Sequence, residues 1–157
     1  MARILAATDF SGRSDRAVRR AGMLAGEIAA ELVLTHVVDD DQPRRLVEAQ
    51  RREATALLAE QIGALAELKG VACRLHLAES EAFDGIVQAA DATDADLIVM
   101  GAHRKRLLRD VFTGTTVERV MRTGSRPVLM VHREPQAPYH RLLAAIDLAE
   151  PSARALE

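Results

Sequence analysis

Two hydrophobic periods alternate along the chain. Ile4-Leu5-Ala6-Ala7 is an unbroken apolar run that stops at Thr8-Asp9, and it predicts a strand buried on both faces. Ser11 supplies an N-cap and Gly12 loosens the entry to a helix. In that helix Ala17, Ala21, Leu24, Ala25 and Ile28 recur at helical spacing. Leu32 to Val38 is a second strand, closed by Asp39-Asp40-Asp41. Pro43 opens a long helix on which Leu46, Ala49, Ala56, Leu57, Glu60 and Ala64 spread over several turns, with Gly70 as its stop. Val71 to Ala78 reads as a third strand with Val71, Cys73, Leu75 and Leu77 on one face. Ser80-Glu81 starts a helix that carries Ile86, Val87 and Ala90. Leu97 to Met100 is the most apolar strand and runs straight into Gly101. Thr115 or Thr116 caps a helix through Val117, Val120 and Met121, which Gly124 ends. Pro127 to Val131 is a fifth strand, and its leading proline suits a strand start or a sheet edge.

Strands alternating with helices predict an α/β fold, a five-stranded parallel doubly wound sheet with helices on both faces and right-handed crossovers. Such sheets bind ligands beyond the carboxyl ends of their strands, at the switch point. Three of those ends carry chemistry here: Thr8-Asp9, Val37-Val38 and Met100-Gly101.

Composition narrows the function classes. The 157 residues are 48% apolar but only 3% aromatic, with no Trp, so the core is built from Ala, Val, Leu and Ile. Few flat side chains remain for stacking unpaired bases, which argues against single-strand nucleic-acid binding. The net charge of −2 provides no global attraction for nucleic acid or an acidic membrane surface. No apolar run approaches the length of a membrane span, and Arg3 is followed by too short an apolar run for a secretory leader. Cys73, the only cysteine, forms no internal disulfide, and a cytoplasmic location is expected. Neither a Ser-His-Asp or Cys-His arrangement nor metal-ligand spacing is present. His36, in an apolar strand, is expected to be a satisfied core or loop-facing histidine rather than a ligand.

The last residues repeat the first. Arg3-Ile-Leu-Ala-Ala-Thr-Asp9 aligns with Arg141-Leu-Leu-Ala-Ala-Ile-Asp147, and the match runs on through Ser14/Ser152, Arg16/Arg154 and Ala17/Ala155. Eight of sixteen aligned positions are identical, where chance in an Ala-rich chain gives about two or three. The domain reading is therefore a unit over 1–133, a linker over 134–140, and the first strand and helix start of a truncated second repeat over 141–157. That second strand cannot bury both faces by itself, so it is expected to be disordered or to pair with a sheet edge.

The strongest functional signal is the loop Gly101 to Thr115, which follows a strand and precedes a helix. Glycines let backbone N–H groups approach a phosphate, and the helix N-terminus adds partial positive charge. Thr115 and Thr116 offer hydroxyl donors. The loop lacks both the Walker Gly-Lys-Ser/Thr and the Gly-x-Gly-x-x-Gly fingerprint. Its spacing resembles that of the universal stress proteins, whose ATP-binding members carry Gly-x-x-Gly, nine residues, then Gly-Ser/Thr. Gly101, Ala102 and His103 fit the start, 105–113 the spacer, and Gly114-Thr115 the end. Thr8-Asp9-Phe10-Ser11, Leu34-x-His36-Val37 and Arg126-Pro127-Val128 also resemble the family.

The resemblance implies the universal-stress, adenine-nucleotide α-hydrolase-like fold and an ATP site, with Mg²⁺ on the phosphates. By position it implies that Ala7 and Thr8 lie in that site and that Asp9 meets the ribose or metal-bound phosphates. Val37 would contact the adenine through its backbone, and Met100 and Gly101 would line the sugar and base side. His103, Gly114, Thr115 and Thr116 would surround the phosphates. Arg104 stands where the second glycine is expected; it either fills the phosphate space or pairs with phosphate, with Lys105 and Arg106 assisting. Val117 lacks a hydroxyl often found at its position, although Thr116 can substitute. The expected function is a stress-response module with ATP or a related nucleotide as regulatory ligand, assembled as a homodimer or tandem pseudo-dimer through the fifth strand. The alternatives are a partner-binding structural module without nucleotide and a weak ATP hydrolase using Asp9 or Asp110.

Overall fold

The computed structural model describes residues 1–102, 115–145 and 147. Five strands form one parallel sheet: β1 (Arg3–Ala7), β2 (Glu31–Val38), β3 (Cys73–Glu79), β4 (Leu97–Gly101) and β5 (Val128–Val131). Their order is β3-β2-β1-β4-β5. Four helices connect or follow them: α1 (Gly12–Ile28), α2 (Arg44–Ala64), α3 (Ala82–Ala92) and α4 (Thr116–Thr123). The α/β, doubly wound expectation is met. The chain winds outward from β1 through β2 to β3, then crosses to β4 and β5 on the other side, so the switch point lies between β1 and β4.

Each face of the sheet carries its own core. Ile4, Ala6, Leu32, Leu34 and Val99 pack with Ala17, Val18, Ala21 and Ala25 of α1 and Leu58 of α2. Leu5, Ala7, Ile98 and Met100 pack with Ile86 and Ala90 of α3 and Val117 and Val120 of α4. The unbroken apolar runs of β1 and β4 thus reflect burial on both sides.

Three expectations are corrected. The first concerns α2, whose buried residues are Val47, Ala54 and Leu58, whereas Leu46, Ala49, Ala56, Glu60 and Ala64 are exposed and Leu57 is half-buried. This helix covers only the β2-β3 end of the sheet, and its inner side also accommodates Arg51, which donates to Glu79. Second, α2 ends at Ala64, before Gly70. Leu65 closes it with an N–H to the Gln61 carbonyl, and a 3₁₀ turn over Ala66–Leu68 follows. Third, β3 begins at Cys73, and Cys73, Leu75 and Leu77 are half-buried because β3 is an edge strand.

Residues 132–139 lie against α1. Arg16 donates to the His132 carbonyl at 3.2 Å and Arg20 to the Ala137 carbonyl at 2.9 Å. The Arg20 guanidinium stacks on Tyr139 at 4.1 Å, and Pro135 is buried. Residues 141–145 form no strand and pair with no edge of this sheet; Leu142 and Leu143 are 87% and 98% exposed.

Candidate functional site

The polar residues after β1 fold into a compact cap. The Thr8 N–H extends the ladder to the Thr35 carbonyl at 2.9 Å. Its hydroxyl oxygen accepts from the Phe10 N–H at 3.0 Å and its O–H points to Ser14 Oγ at 3.1 Å. The Asp9 carboxylate accepts from the Ser11 N–H at 3.0 Å and from Ser14 Oγ at 2.7 Å. Burial works to raise the Asp9 pKa, but these hydrogen bonds outweigh it and hold the carboxyl below its ordinary value. Phe10 adopts φ +60°, an unusual conformation for a bulky residue. Its ring leans on His36 at 4.5 Å between centroids, and His36 Nδ1 sits 2.8 Å from the Thr8 carbonyl. His36 is thus a satisfied, half-buried histidine that ties the end of β2 to the end of β1.

Gly101, at the carboxyl end of β4, brings that strand against the first turn of α1. A Cβ there would lie 2.6 Å from the Arg13 carbonyl oxygen and 2.9 Å from the Ser14 nitrogen. Glycine is needed at this position for helix-on-strand packing, in addition to any part in holding a ligand. Thr115 caps α4 through a capping box: its Oγ accepts from the Glu118 N–H at 3.2 Å and its N–H donates to the Glu118 carboxylate at 2.8 Å.

Between these strand ends opens a cleft of about 280 Å³. Ala7, Val37, Ile86 and Met100 give it apolar walls, and Thr8, Asp9, Ser11 and Thr116 give it a polar rim. Arg13 is exposed on the rim and has no ion-pair partner among the described residues. Of the residues expected from the sequence, Ala7, Thr8, Asp9, Val37, Met100, Gly101 and Thr116 all line this one cleft. Thr115 lies beside it, committed to the helix cap. His103, Arg104 and Gly114 fall outside the described residues, as does the 105–113 spacer with its basic residues and Asp110.

Sequence reasoning missed Arg13, Ser14, Thr35, Ala82 and Ile86 as cleft residues. The signal for Thr35 is its place as a polar residue within the strand Leu32 to Val38, directly after the apolar run Leu32-Val33-Leu34. Ser14 carries none, because its role depends on how the turn folds back over the strand end. Among the described residues no group of three or more His, Cys, Asp or Glu is arranged to hold a metal. No described helix is long and apolar enough to cross a membrane.

A profile of the universal stress protein family matches residues 1–132. The chain belongs to that family. Universal stress protein MJ0531 of Methanocaldococcus jannaschii is 30% identical over 139 residues, covering 83% of this chain and 82% of the relative. A universal stress protein crystallised in complex with cAMP is 25% identical, with a TM-score of 0.70 over 83% of this chain and 97% of that one. A family member from Burkholderia pseudomallei is 31% identical, with a TM-score of 0.68 over 84% of this chain and 96% of that one. The spacing of Gly101 and Gly114-Thr115 thus pointed to the right family, although the loop between them is not described.

Proposed function

We propose that this universal stress protein binds ATP or a related adenine nucleotide in the cleft, as a regulatory ligand in a stress response. The observation that carries the reading is the convergence of seven expected site residues on one cleft at the topological switch point. The cleft is divided as a nucleotide requires. The apolar walls of Ala7, Val37, Ile86 and Met100 suit a flat heterocycle. Thr116 and the exposed Arg13, which has no ion-pair partner among the described residues, suit an anionic group on the rim. Mg²⁺ would arrive on the phosphates and meet Asp9, the one acidic side chain among the described lining residues. The cAMP complex of a 25% identical relative adds support for a cyclic or linear adenine nucleotide.

Titration calorimetry with ATP, AMP and cAMP, each with and without Mg²⁺, tests the reading; saturable one-site binding is expected. Heats indistinguishable from dilution for all three would leave the partner-binding module without nucleotide. A hydrolase role finds less support, because Asp9 accepts two hydrogen bonds within its own turn and its pKa is lowered, a poor arrangement for a general base.

The same reading includes a cytoplasmic homodimer, or a tandem pseudo-dimer with the repeat that begins at Arg141, joined through β5. Support comes from β5 lying at the sheet edge with Met130 41% exposed. Sedimentation velocity should find a dimer that Met130→Asp converts to monomer while leaving the helical spectrum intact.

A further inference from the structure

Thr35 is wholly buried in β2, and its backbone carbonyl is held by the Thr8 N–H at 2.9 Å. Its hydroxyl has no hydrogen-bond partner among the described residues. A buried polar group left unanswered costs about 1–3 kcal/mol, so most are paired. Thr35 also lines the cleft, on the side walled by Val37 and Ile86. Strand alternation gives Thr35 the same face as Val37, the face covered by α3. Its register neighbour on β3, His76, shares that face and likewise carries a buried nitrogen, Nδ1, without a partner. Burial and the nearby Arg74 lower the His76 pKa and favour the neutral ring.

We propose that Thr35 is a specificity-determining residue, whose buried hydroxyl hydrogen-bonds a polar atom on the edge of the ligand's heterocycle. The idea rests on the nucleotide reading of the cleft and deepens it. The cleft's apolar walls are Ala7, Val37, Ile86 and Met100, and on this face of the sheet the polar atoms near Thr35 without a partner are its own hydroxyl and His76 Nδ1. A purely apolar slot accepts any flat ring, whereas one fixed hydroxyl rejects rings with nothing to pair with it. Because a hydroxyl both donates and accepts, it separates a polar ring edge from a bare one and leaves amino and oxo substituents alike. Within the adenine-nucleotide reading, the predicted ligand is one whose base keeps an intact hydrogen-bonding edge.

The test is calorimetry on wild type, Thr35→Val and Thr35→Ser with ATP and single-atom analogues: 6-deamino, 1-deaza, 3-deaza and 7-deaza. Thr35→Val should weaken ATP binding about three- to tenfold. It should not change the affinity for the one analogue that lacks the paired atom, and Thr35→Ser should behave as wild type. The Val variant should melt no lower than wild type, since it removes an orphaned hydroxyl, so lost binding will not be lost folding. An equal loss across all ligands, or no loss for any, overturns the role of Thr35 while leaving nucleotide binding in place. Failure of wild type to bind any of them overturns both.

Discussion

At the scale of single residues, Asp9 and Gly101 each serve the fold and the cleft together. A carboxyl held below its ordinary value of 3.8 stabilises the folded state above that pH. The contribution fades as pH falls through the lower, folded-state pKa. Asp9→Asn keeps an acceptor oxygen but removes the charge that strengthens both bonds, so it should cost up to about 1 kcal/mol near neutrality. The two proteins should converge in urea midpoint as the pH falls below 3.8 and through the lower folded-state pKa. Gly101→Ala meets backbone atoms of Arg13 and Ser14, which cannot swing aside as a side-chain tip would. A loss of about 1–3 kcal/mol in equilibrium unfolding is expected, because the α1 start must shift. The sequence reading took Gly101 as the start of the ligand loop, on the sugar and base side of the site. The spacing was legible, but the packing reason was not, since the contact joins residues 13 and 101 across two strands.

At the scale of elements, apolar runs and caps placed all five strands and four helices in order. What failed was the inner face of α2. Val47, Ala54 and Leu58 are its only buried residues, too few to stand out against exposed Leu46, Ala49 and Ala56. A helix lying over a sheet edge buries a narrow stripe, and Arg51 and Gln61 share it through bonds to Glu79 and Asp15 that no periodicity reveals. The short α4 is the opposite case, since its cap was readable from Thr115 onward. Eight residues form a marginal helix by themselves, so its capping box matters. Thr115→Ala should lower stability by about 1 kcal/mol and Thr115→Ser should be near neutral, measured as urea midpoints. The ligand should bind more weakly to the Ala variant, because Thr116 and Val117 line the cleft from the first turn.

At the scale of the whole molecule, one sequence occurs in two settings. Leu5 is fully buried in the sheet, and its counterpart Leu143 is 98% exposed. Leu5→Ala should cost about 2–5 kcal/mol in this chain. Leu143→Ala should change the midpoint by less than about 0.5 kcal/mol, as exposed substitutions do. A matching large loss at Leu143 would mean that the repeat copy packs in solution. The candidate site was legible as far as it sits on strand ends, at Asp9, Val37 and Met100. Its hidden part, Thr35 and Ser14, depends on which side a residue faces and how a turn folds back.

The clasp of Arg16 and Arg20 on residues 132–139 has a mechanical meaning. The sequence reads 134–140 as a linker between repeats. Buried Pro135, the held Ala137 carbonyl and the stacked Tyr139 turn most of that stretch into a rigid bracket on α1. The bracket grips the amino-terminal half of α1, one to two turns from the residues that line the cleft, so a shift of that helix start on ligand binding would be felt by residues 132–139.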